Sequence, residues 1–143
     1  MTSRKMTSLA LKRAYEAPSA DDGMRILVDR LWPRGIAKAK AKIDLWLKDI
    51  APSDGLRKRF HDKPEHWDAF CASYFAELEG EIPGAAAKEL RRCMRDGPVT
   101  LIYAAHDERH NNAVALKMWL GRRKANKTDA GRGAPRRRRT RLP

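Results

Sequence analysis

Val99–Ala105 reads VTLIYAA and Met24–Asp29 reads MRILVD. Each contains a short, unbroken apolar run, and Gly97-Pro98 punctuates the chain just before the later one. Runs of this length suit strands covered on both faces, as in parallel sheets. The residues after the later run decide the class. A helical pattern starts at Asn111 or Asn112, places Ala113, Leu116 and Leu120 on one face, and meets a stop signal at Gly121. A buried strand succeeded by a helix, late in a small chain, predicts an α/β fold. We expect three layers, with a mainly parallel sheet of about four strands flanked by helices.

The rest of the chain reads outward from these two strands. Leu9–Tyr15 alternates as a strand would, and Asp21-Asp22-Gly23 reads as a turn, so the first two strands are expected to pair as a hairpin. Leu31–Gly35, LWPRG, breaks the regular pattern, because Pro33 removes a donor and pushes Trp32 out of the helical region. Ala37–Lys42 suits a short helical turn. Ile43–Ile50, IDLWLKDI, fits either period, and its nearness to Pro52 favours a strand. Asp54 is the expected cap of the next helix. Trp67, Phe70, Cys71, Tyr74, Phe75 and Leu78 form one apolar helical stripe. A further helix runs through Ala86, Leu90, Cys93 and Met94 and stops at Gly97-Pro98.

The chain has 143 residues, enough for one domain with a real core. Its net charge of +13 is uneven: residues 121–143 carry ten Lys/Arg against Asp129 alone, and this segment accounts for +9. We therefore expect a domain over 8–121 and a disordered, Arg/Lys-rich tail over 122–143, where apolar groups are too few to offset ordering entropy. The two cysteines, Cys71 and Cys93, fall on apolar helix faces, show no CxxC spacing, and fit a reducing cytoplasm. No apolar run is long enough to span a membrane, and the first residues lack the pattern of a secretory signal. No GxGxxG or GxxxxGK[ST] loop and no zinc-finger spacing is present, which argues against dinucleotide and P-loop enzymes and leaves no cofactor or metal expected.

Ligands in open α/β sheets favour the carboxyl ends of the strands. Two polar clusters come directly after the two strongest strands there: Asp29–Gly35, and His106–Asn112. Arg30 and Arg34 offer planar forks that match carboxylate or phosphate oxygens. Gly35 would admit close backbone approach, Trp32 could stack on a ring, and the N–H groups near Asn111 and Asn112 could receive an anion. Asp29 and His110 could share proton transfer. A phosphate ester or nucleotide would suit such a pocket. Each residue also has a plainer role. Asp29 and Arg30 could close a loop, Arg34 could cap a helix, Trp32 could plug the sheet end, and asparagines commonly cap helices. A metal on His106 and His110, with His61 or His66, lacks a third ligand nearby in sequence.

ILVDRLWPRGIAKAKAKIDLWLKDIAPS and VTLIYAAHDERHNNAVALKMWL together resemble the YeaO-like family, domain of unknown function 488. The resemblance covers roughly residues 8–121. It implies a small bacterial-type cytosolic α/β protein and supplies no activity. The positions fitting its pattern are Asp29, Arg30, Trp32, Pro33, Arg34, Gly35, Trp46, Pro52, His110, Asn111 and Asn112. Lysine is common in that pattern where His106 stands, so the resemblance favours His110 as the acid or base.

Two functions from different classes are expected to compete. One is an enzyme, or a ligand-binding domain derived from one, acting on a small anionic molecule. The other is a nucleic-acid-associated protein that binds through residues 122–143 and the arginine loop, with affinity falling steeply in salt.

Overall fold

A computed structural model describes residues 9–60 and 63–133. Four strands form one wholly parallel sheet in the order β1 (Leu9–Arg13), β4 (Val99–Tyr103), β2 (Met24–Leu27), β3 (Leu45–Trp46). The helices are α1 (Lys38–Ala41), α2 (Asp54–Phe60), α3 (Trp67–Leu78), α4 (Glu81–Asp96) and α5 (Asn112–Gly133). The small α/β architecture with a parallel sheet stands as the sequence predicts.

The hairpin does not. β1 and β2 never pair, because β4 lies between them and is parallel to both, with Leu11 and Ile26 each opposite Leu101. The apolar runs explain this order. β4 is buried at all five positions and takes a centre, while β1 is only partly covered and takes an edge.

Alternation divides the side chains between two faces. Ile26, Val28, Val99, Leu101 and Tyr103 enter the main core with Phe70, Tyr74, Leu78, Leu90 and Leu116 from the helices. Leu27 and Ile102 point to the opposite face, where Ala14, Trp32, Ile36, Ile43 and Trp46 cover them. Each fully buried aliphatic side chain contributes roughly 1.5–3 kcal/mol. Both faces are therefore dry, as the continuous apolar runs require.

A polar anchor sits beside this second cluster. Arg25 and Asp22, 4% and 7% exposed, meet at 2.6 Å, and Lys12 holds the same carboxylate at 2.9 Å. The Arg25 guanidinium also donates to the carbonyls of Ala41 and Lys42, which closes the end of α1. Burial alone would raise the Asp22 carboxyl, but Lys12, the Ser19 N–H and Arg25 hold it below the ordinary carboxylate value.

Local signals resolve three details differently. Residues 43–50 divide into the two-residue β3 and a 3-10 turn over Lys48–Ile50. Ser53, rather than Asp54, caps α2: its hydroxyl accepts from the Leu56 N–H, and Glu77 of α3 holds Ser53 through both its N–H and its hydroxyl. Helix α5 passes through Gly121 and continues to Gly133, because one glycine costs a helix only about 1 kcal/mol against alanine. The block Arg136–Arg139 lies outside the described residues.

Candidate functional site

Because β2 and β4 are parallel neighbours, their carboxyl ends deliver Asp29–Gly35 and Ala104–Asn112 to the same edge of the sheet. Asp29 ties this edge together. One carboxylate oxygen accepts from the Ala104 N–H at 2.9 Å, and the other from the Asn112 amide at 3.0 Å. The same amide donates to the Val28 carbonyl at 3.0 Å. Burial pushes the Asp29 carboxyl above its ordinary value, against the pull of Asn112, the Ala104 N–H and Arg57.

Arg30 turns towards the chain after β3 and donates to the carbonyls of Ala51 and Pro52 at 3.0 and 3.3 Å. Tyr74, fully buried in α3, donates its hydroxyl to Ile50 O at 2.6 Å beside them. Arg30 thus closes a loop, and these bonds use two of its five N–H donors.

The rest of LWPRG is held rigidly. Trp32 donates its indole N–H to Ile36 O at 2.6 Å and meets Trp46 edge-on, with centroids 5.5 Å apart. Trp46 in turn donates to Asp29 O at 2.8 Å. Pro33 is buried. Gly35 has φ +81°, and a Cβ placed there would meet nothing within 4 Å, so this glycine supplies a backbone conformation rather than a close approach. Tyr15, just past β1, donates its hydroxyl to Arg34 O at 2.9 Å. Arg34 itself is exposed, and its guanidinium makes no hydrogen bond or ion pair with another described residue.

On the β4 side, Asn111 is buried and caps α5: its carbonyl accepts from the Val114 N–H at 2.9 Å and its amide donates to Asp107 O at 2.8 Å. Asp107 accepts from the N–H groups of Arg109 and His110, which keeps its carboxyl below the ordinary value. His110 lies 3.2 Å from the other Asp107 oxygen through Nδ1 and packs edge-on against Trp67, centroids 5.1 Å apart. His106 is exposed.

The fold therefore brings Asp29, Asn112 and the backbone of both loops together. It turns Arg30 onto the Ala51 and Pro52 carbonyls and leaves the Arg34 guanidinium without a partner among the described residues, and Asp29 and His110 share no hydrogen bond. Tyr15 and Arg13 join this edge beyond the residues that the sequence singles out. Arg13 donates to the carbonyls of Ala105 and Ala104 at 2.9 and 3.4 Å and lies 5.1 Å from the Tyr15 ring centroid. The alternation of Leu9–Tyr15 carries the signal for them, since it runs both residues out to the carboxyl edge.

A separate open groove of about 640 Å³ lies beside β3 and the start of α4, with Trp46, Lys48, Glu81 and Ile82 in its lining and none of the expected site residues. Cys71 and Cys93 are buried, and burial pushes their thiols up, to about 11 at Cys71. Among the described residues, no group of three His, Cys, Asp or Glu is placed to hold a metal, and no helix is long and apolar enough to cross a membrane.

A family described as "Inactive DUF488-N3 subclade" matches residues 8–136, past Gly121 and into the basic segment. "Uncharacterized protein YeaO" of Escherichia coli (strain K12) is 42% identical over 114 residues, covering 79% of this chain and 96% of that one. "Uncharacterized protein Mb3100c" of Mycobacterium bovis is 40% identical over 117 residues, covering 81% and 97%. No solved structure matches the chain. With a family match over most of its length and relatives of this identity, the chain belongs to the YeaO-like DUF488 family, in the subclade described as inactive.

Proposed function

We propose that this protein is a non-catalytic binding domain for a small anionic molecule, phosphate- or carboxylate-bearing, taken at the carboxyl edge of the sheet. The observation that carries the reading is Arg34. Its guanidinium is exposed and unpartnered among the described residues, yet its backbone is fixed by Tyr15, Trp32, Pro33 and Gly35. A pre-ordered loop spares the backbone its share of the ordering entropy, so only the side chain is left to be fixed on binding. The start of α5 opens on the same edge and adds a favourable field for an anion.

Two observations support binding without turnover. Asp29 spends a bond from each oxygen on the Ala104 N–H and the Asn112 amide and shares no hydrogen bond with His110, which favours a joining role over proton transfer between the two. The family description, an inactive subclade, agrees.

The test is a thermal-shift titration of the full chain with inorganic phosphate, sulfate and small carboxylates. A ligand at about a hundred times its Kd adds roughly 2.7 kcal/mol, several degrees in Tm for a domain of this size. The shift should vanish in Arg34→Ala. A shift that survives this substitution would remove the central claim.

A second reading, association with nucleic acid through residues 122–143, has one observation in its favour. Helix α5 continues to Gly133 and so extends through Arg122, Arg123, Lys124, Lys127 and Arg132.

A further inference from the structure

An exposed aromatic ring tied to the backbone of a residue whose guanidinium is unpartnered among the described residues is a pairing that a simple anion does not need. Tyr15, two residues past the end of the edge strand β1, is 47% exposed. Its hydroxyl is tied to Arg34 O, so the ring cannot swing freely. Arg13 lies over the ring, and Arg13 is itself fixed to the carbonyls of Ala104 and Ala105. The Arg13 backbone N–H donates to the neighbouring Glu16 carboxylate at 3.4 Å. Apart from Arg13, no cation or aromatic ring packs on Tyr15 among the described residues.

We infer that the anion bound at this edge is the phosphate of a nucleotide, with its base stacked on the Tyr15 ring and its phosphate on Arg34. The inference rests on the anion-binding reading and adds the chemistry of the attached group. A flat base suits a flat, immobilised ring, and stacking of this kind tolerates any base because every base has a π-face. The phenol oxygen contacts the backbone of the residue that carries the free guanidinium. One ligand meeting both elements needs a spacer between its ring and its phosphate, which the sugar of a nucleotide supplies. Trp32, offered by the sequence either as a stacking ring or as a plug, meets Trp46 edge-on and spends its indole N–H on Ile36 O, which favours the plug. Tyr15 takes the stacking role.

The experiment measures the Kd of the full chain for inorganic phosphate, ribose 5-phosphate, adenosine 5′-monophosphate and uridine 5′-monophosphate by isothermal titration calorimetry. Both nucleotides should bind about tenfold more tightly than ribose 5-phosphate. Tyr15→Leu should erase that difference and leave ribose 5-phosphate binding unchanged, while Arg34→Ala should weaken all the phosphate compounds together. If ribose 5-phosphate binds as well as the nucleotides, the stacking inference falls and the anion reading stands. If none of these ligands binds, the nucleotide inference falls, and the anion reading falls for phosphate and keeps only its carboxylate form. The wild-type comparison alone decides between these outcomes even if a variant does not fold.

Discussion

At the scale of single residues, two glycines with positive φ separate geometry from space. Gly23 has φ +64°, and a Cβ there would lie 2.4 Å from Pro98 O, the atom that receives the Met24 N–H at 3.0 Å. The carbonyl cannot retreat without breaking the first rung between β2 and β4. Gly35 has φ +81° and open space around it. Gly23→Ala should therefore cost more than about 2 kcal/mol, from strain and clash together, whereas Gly35→Ala should cost only about 1–2 kcal/mol of backbone strain. Urea unfolding of the two variants checks the order, and equal costs would refute the role assigned to Pro98. The Asp-Asp-Gly turn was legible in the sequence, but the close approach was not, because nothing local says which strand passes behind it.

At the scale of elements, Asp29 is the pin joining the ends of β2 and β4 to the start of α5, and its burial makes that pin sensitive to pH. A carboxyl whose folded pKa is raised contributes stability that is complete below its ordinary value of 3.8 and is lost as pH rises through the folded pKa. Asp22 has the opposite sign: its contribution is present above 3.8 and disappears in acid. Asp29→Asn puts an amide N–H against either Ala104 N–H or Asn112, so it should destabilise by about 1–3 kcal/mol. The gap between wild type and variant should narrow as pH rises from about 4 to about 7, measured by urea midpoints across that range. A gap that stays constant or widens would show that Asp29 is not the shifted group. The periods of the helices and the central strand were readable because each apolar stripe meets one core. Strand order was not, since an apolar run at Ile26–Val28 says that both faces are covered and not which strands lie on either side. The candidate loops were also found, and loop closure by Arg30 and plugging by Trp32 were among the roles the sequence offered, but their particular partners were hidden, because these are backbone carbonyls that no residue type announces.

At the scale of the whole molecule, the charge is concentrated in the last part of the sequence. Residues 121–143 carry +9 of the net +13, so a long-range attraction to a polyanion belongs mainly to that segment, while recognition of a single anion belongs to Arg34. The two functions should separate under salt. Nucleic-acid binding through the basic segment weakens linearly in log–log form, with a slope of about 0.9 per phosphate neutralised. Replacing Arg136–Arg139 with alanine in the full chain should lower that slope by about 3–4, if those four side chains each meet a phosphate, and should leave the Kd for a mononucleotide unchanged at fixed ionic strength. Filter binding of a short duplex from low to moderate salt gives the slope, and calorimetry gives the Kd. An unchanged slope would place the polyanion contacts outside Arg136–Arg139, on the folded domain or on the other cations of residues 121–143. A mononucleotide affinity that weakens when the tail arginines are lost would mean that the segment reaches back to the carboxyl edge, and the two sites would then have to be treated as one.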